Sequence, residues 1–107
     1  MSDPESVRGM PDDQPPTAAV VRVLEICNKK GLHARASAKF VQTVEQFDAE
    51  VRVRRGTDTV GGTSIMGLMM LAAGAGTQIT VEATGPDAAA VVAALAELVA
   101  GRFTEGE

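Results

Sequence analysis

From residue 20 onward, apolar and polar residues follow two distinct periods. Glu50 to Arg54 alternates at every step, with Val51 and Val53 on one side and Glu50, Arg52 and Arg54 on the other. Thr77 to Ala83 does the same, setting Ile79, Val81 and Ala83 against Gln78, Thr80 and Glu82. A period of two marks a strand with one dry face and one wet face. Val20 to Ile26 is rich in β-branched residues and reads as another strand, although Arg22 and Glu25 restrict which of its faces stays dry. Asp58 to Val60 is a short strand after the turn at Gly56-Thr57-Asp58 and before Gly61-Gly62, so it forms a hairpin with Glu50 to Arg54.

The second period is helical. Phe40, Val41, Val44 and Phe47 form one stripe in a segment from Ala34 to Phe47, leaving Lys39, Gln42, Glu45 and Gln46 for the wet side. Ala88, Val91, Val92, Leu95, Leu98 and Val99 form another, in a helix opened by Pro86 and Asp87 and running to Arg102. Between them Thr63-Ser64 caps a short helix, Ile65 to Leu71, which the glycine-bearing stretch 72–76 ends. The order is β-α-β-β-α-β-α. Four short alternating strands make an antiparallel sheet with one buried face, and the two long helices cover that face. The expected class is α+β, a two-layer open-faced sandwich.

Composition adjusts this picture in a few places. The chain has 107 residues, enough for one core, and 45% of them are hydrophobic. Its three aromatics are all Phe, so aliphatic side chains must build the core. Residues 1–17 carry four of the five prolines and no periodicity, and are expected to be a disordered tail preceding a domain at 18–104, with Met10 as an alternative start. The net charge of -4 is concentrated there: Asp3, Glu5, Asp12 and Asp13 oppose only Arg8. An acidic balance without Tyr or Trp argues against nucleic-acid binding. The absence of a long apolar run or leader argues against a membrane protein and points to the cytoplasm. Cys27 is the single cysteine, which fits a reducing compartment, and as the residue closing an apolar strand it is expected to be small and buried.

Candidate chemistry centres on His33, the only histidine, between Gly31 and the first helix. A metal site is disfavoured, because there is no second histidine and no cysteine pair. At or beside the N-cap, His33 would meet the free N–H groups of Ala34, Arg35 and Ala36 and the positive end of the helix dipole. Such a position suits phosphate, and Lys29, Lys30 and Arg35 add positive charge. A neutral imidazole keeps a lone pair that can attack phosphorus. Arg35 can then offer the phosphate a planar fork of donors.

Gly31-Leu32-His33-Ala34-Arg35 resembles the active-site signature of the HPr family, the histidine phosphocarriers of the bacterial phosphotransferase system. Ser64-Ile65-Met66-Gly67-Leu68-Met69 is similar to that family's regulatory-serine segment, and the spacing and element order also match. The resemblance covers residues 20–103 and implies an HPr-like fold. It implies that His33 accepts a phosphoryl group on its δ nitrogen from enzyme I, which draws on phosphoenolpyruvate. The group then passes to an enzyme IIA protein or domain. Arg35 matches the family's phosphate-stabilising arginine. The implied protein is a monomeric, stoichiometric carrier without a cofactor, not an enzyme. The family usually has proline where this chain has Ala36; alanine keeps the turn helical and restores an N–H.

Ser64 has a structural role as an N-cap in any case. The resemblance adds phosphorylation by an HPr kinase/phosphorylase, although Thr63 stands where many kinase-regulated relatives have lysine. At 100° per residue Ile65, Met66 and Met69 cluster on one side of the short helix, with Leu68 and Leu71 roughly opposite. Periodicity alone leaves the methionines as core; the resemblance places Ile65, Met66 and Met69 in an exposed docking patch. Two alternatives stay open: a carrier of the nitrogen-related branch, and a regulatory binding module acting through Ser64. A cysteine- or histidine-dependent hydrolase lacks an orienting acid and an evident oxyanion hole.

Overall fold

The structure, a computed structural model, describes residues 19–104. The tail expected at 1–17 and the alternative start at Met10 lie outside the described residues. The elements follow the expected order: β1 (Val20–Glu25), α1 (Ala34–Glu45), β2 (Glu50–Arg55), β3 (Asp58–Gly61), α2 (Ile65–Met70), β4 (Gln78–Thr84) and α3 (Ala88–Ala100), then a short 3-10 turn at Arg102–Thr104. The four strands form one antiparallel sheet in the order β1-β4-β2-β3. The α+β open-faced sandwich is therefore present, with β4 inserted between β1 and β2.

Register explains which residues are dry. Val53 pairs with Val81 and Val60, Val51 with Ala83, and Leu24 with Ile79. All but the partly buried Val60 are buried, and these positions build the inner face. Phe40, Val41 and Val44 of α1 and Val91, Val92, Leu95 and Val99 of α3 close over them. Full burial of an aliphatic or Phe side chain is worth about 1.5–3 kcal/mol, so these helical stripes are a principal source of stability. Leu68 of α2 is also fully buried, so the short helix joins the covering layer.

Four local expectations need correction. Cys27 is exposed, not buried. Leu24 and Ile26 occupy the inward positions, so the next residue points away, and its Sγ lies 3.1 Å from the Val99 carbonyl oxygen as a donor. In keeping with the limits that Arg22 and Glu25 set, the dry face of β1 is short: Val21 and Val23 face outward at the sheet edge and are each 55% exposed. Asp87 precedes α3 as its N-cap but does not cap it with its side chain; Oδ2 instead accepts from the Asp48 N–H at 2.8 Å. Finally, α3 stops at Ala100, short of Arg102. Arg102, Phe103 and Thr104 all have φ between 55° and 61°, a left-handed turn that alanine-like side chains disfavour by roughly 1–2 kcal/mol per residue. Burial of Phe103 offsets this cost. So does Lys39, expected on the wet side of α1 but half-buried, whose Nζ donates to the Phe103 carbonyl at 2.6 Å and Thr104 Oγ1 at 2.9 Å.

Candidate functional site

The loop between β1 and α1 is built by short-range chemistry. Asn28 is fully buried and its Nδ2 donates to the Gly31 carbonyl at 2.8 Å, while the Gly31 N–H donates back to the Asn28 carbonyl at 3.2 Å. This closes the turn across Lys29 and Lys30. Gly31 takes φ +65°, and a Cβ there would collide with the Ala73 carbonyl oxygen. That close approach lets the Leu32 N–H donate to the same oxygen at 3.0 Å. The loop is thereby docked on the segment that follows α2.

His33 leaves this loop with extended backbone (φ -75°, ψ -179°) and is the N-cap of α1. Its ring Nδ1 accepts from the Arg35 N–H at 3.2 Å, and its carbonyl accepts the first bond of the helix, from the Ser37 N–H at 2.8 Å. Ser37 is fully buried and its Oγ donates to the Leu32 carbonyl at 3.2 Å, which fixes the entry of the chain into the helix. With Nδ1 as acceptor, the neutral ring carries its proton on Nε2, so the nitrogen with the lone pair is the one turned toward the helix N-terminus. The ring is half-buried and Arg35 is exposed. Lys30, His33, Met69, Ala72, Ala73 and Gly74 border one shallow concavity of about 300 Å3.

Ser64 stands at the other end of α2. It is the N-cap, and its Oγ accepts from the Gly67 N–H at 2.9 Å. Ile65 and Met69 are each 41% exposed and Met66 71%, whereas Leu68 and Leu71 are buried. The two sides of α2 thus divide as the 100° spacing suggests. Met70 is 77% exposed and extends the apolar surface; the sequence reading overlooked it, although consecutive Met69-Met70 was a visible signal. Only Met69 of the expected patch shares the concavity with His33.

Asn28 and the 72–74 segment were also missed as parts of the site. Ala72 holds φ +54° just past the end of α2, and no local pattern announces that Ala73, the next residue, accepts a hydrogen bond from the His33 loop. The Arg55 guanidinium donates to the Leu71 carbonyl at 3.0 Å, tying the end of α2 to β2.

Residues 20–101 match the family model described as the PTS HPr component phosphorylation site. The chain belongs to the HPr family. A phosphocarrier protein HPr from Neisseria meningitidis serogroup A is 56% identical over 84 residues, which cover 78% of this chain and 94% of that protein. A phosphocarrier protein NPr from Shewanella violacea is 42% identical over 84 residues, 78% of this chain and 92% of its own length. The solved structure of HPr-C-His from Thermoanaerobacter tengcongensis superposes with a TM-score of 0.77 at 37% identity, covering 80% of this chain and 97% of that one. Membership in the HPr family makes this a phosphocarrier-type chain of the phosphotransferase system. Among the described residues, no helix is long and apolar enough to cross a membrane.

Proposed function

We propose that the protein is a stoichiometric phosphoryl carrier of the cytoplasm that accepts phosphate on His33 from phosphorylated enzyme I and passes it to an enzyme IIA protein or domain. The observation that supports this best is the seating of His33 Nδ1 at the N-terminus of α1, 3.2 Å from the Arg35 N–H. The Nδ1 lone pair attacks phosphorus, a P–N bond forms, and the bond from phosphorus to the donor breaks with its electron pair leaving on the donor. The Arg35 N–H, no longer able to bond Nδ1, is released to a phosphoryl oxygen. The helix dipole favours the added negative charge by about 0.3–1 kcal/mol, enough to orient the group and too little to trap it. The Arg35 guanidinium adds a mobile fork of donors from the exposed side.

In this reading Ile65, Met66 and Met69 form the surface on which donor and acceptor dock in turn. Flexible, exposed methionines suit a surface that must repack against two partners. The reading needs only one copy of the chain, since the loop, the first turn of α1 and the α2 surface belong to one protomer. Ser64 serves as a cap and as a regulatory position for HPr kinase/phosphorylase, where phosphate would add about -1.5 to -2 charge at the edge of the docking surface. The 42% identity to an NPr favours a second reading, in which the same chemistry serves the nitrogen-related branch.

The test is incubation with phosphoenolpyruvate and enzyme I. The expected product is one acid-labile, base-stable phosphate per chain, lost in His33→Ala. Labelling that persists in His33→Ala contradicts the proposal.

A further inference from the structure

Two donors converge on the Gly31 carbonyl oxygen: the His33 N–H at 2.9 Å and Asn28 Nδ2 at 2.8 Å. Together they fill its two lone pairs. The bond from His33 spans only two residues, a tight three-residue turn that sets where the chain enters α1. Glycine is permissive about φ and ψ, so the orientation of the Gly31–Leu32 peptide depends on what grips it from outside the turn. Both ends of that peptide are gripped. Its N–H donates to the Ala73 carbonyl at 3.0 Å, and its oxygen is held by Asn28. The other half of the Asn28 amide is idle. Asn28 is fully buried, yet among the described residues its Oδ1 has no hydrogen-bond partner. An unpaired polar atom at that depth is uncommon and lowers stability. Leucine has a similar shape without the polar atoms. With leucine there, the Gly31 oxygen would keep the His33 N–H, and the Gly31 N–H could still donate to the carbonyl of residue 28. As a source of stability the asparagine is therefore a poor choice; as a grip on one carbonyl it is specific.

We infer that Asn28 is a positioning residue for phosphoryl transfer, whose Nδ2 fixes the Gly31–Leu32 peptide and so holds the His33 ring where Nδ1 meets the donor's phosphorus. The inference rests on the reading of His33 as the phosphate acceptor. Asn28 is buried and acts through the loop, so it touches neither the phosphate nor a partner. Its effect falls on the transfer step, which is sensitive to small misplacements of the attacking atom, and leaves binding of the partner alone. The idle Oδ1 is a stability cost that accompanies this placement.

The test compares the full chain and its Asn28→Leu variant as substrates of phosphorylated enzyme I, and measures the urea unfolding of each. The expected result is a kcat lower on the order of tenfold with KM unchanged. The urea midpoint of the variant should equal or exceed that of the wild type, an outcome that a merely structural asparagine would not give. An unchanged kcat, a raised KM without a change in kcat, or a slower rate joined to a lower urea midpoint overturns the inference. A second measurement needs no variant: the scalar coupling across the hydrogen bond from the Asn28 side-chain 15N to the Gly31 carbonyl 13C in labelled wild-type protein. Its presence is expected, and its absence overturns the inference. Each of these failures leaves the His33 reading intact, because that reading requires only phosphate on His33. A wild-type protein that takes no phosphate on His33 overturns both.

Discussion

Gly31 shows how one residue without a side chain places another that carries the chemistry. Its φ of +65° lies in the left-handed region, and its α-carbon lies close against the 73–74 backbone. An added Cβ would collide with the Ala73 oxygen and lie 2.8 Å from Gly74 Cα. The conformational penalty is roughly 1–2 kcal/mol, and the Leu32-to-Ala73 hydrogen bond would be lost at about 1 kcal/mol more. Gly31→Ala should therefore unfold at lower urea concentration, with a stability loss of about 2–3 kcal/mol, and should accept phosphate more slowly because His33 is two residues away. Wild-type stability would contradict the docking of this loop. The placement of His33 at the start of the first helix was legible in the sequence, from the glycine-bearing turn before it and the helical stripe after it, whereas a lone histidine by itself says little about chemistry. Asn28 was not, since a buried asparagine and an exposed turn asparagine look alike until the chain is folded.

At the scale of elements, α2 is too short to be stable alone and depends on what holds its ends. Ser64 caps the start through the Gly67 N–H, and Arg55 caps the end through the Leu71 carbonyl. A hydrogen bond to a charged donor is worth about 1.5–3 kcal/mol when partly sheltered. Arg55→Met should cost about 1–2 kcal/mol in urea unfolding and speed amide hydrogen exchange across Ile65–Met70. Unchanged exchange there would mean that the bond does not hold the helix. Such ties explain what pattern reading could reach. The strands Glu50–Arg55 and Gln78–Thr84 and the stripes of α1 and α3 were legible, because periodicity records which side of an element is dry. The β1-β4 pairing, the Arg55 cap and the left-handed turn at 102–104 depend on residues far apart in sequence or on a conformation that composition disfavours. Cys27 was misplaced because an apolar neighbourhood says less than the inward parity of Leu24 and Ile26.

For the molecule as a whole, the fold separates stability from exchange. The core lies between the sheet and the covering helices. The histidine loop, the end of α2 and the 72–74 segment meet at one shallow concavity. A carrier needs this openness, since two partners must reach the same atom in succession through a small contact. Charge added at Ser64 should then act on docking rather than on the ring. Ser64→Asp is expected to slow His33 phosphorylation by an enzyme I that presents acidic contacts; equal initial rates in mutant and wild type would count against this regulation. The central claim is more specific: the atom that takes the phosphate is the one turned toward the helix N-terminus. It is tested most directly by 15N-labelling the His33 ring, phosphorylating the protein through enzyme I, and reading the one-bond nitrogen–phosphorus coupling. The expected result is coupling at Nδ1. Coupling at Nε2, or no phosphate on the ring, would contradict it.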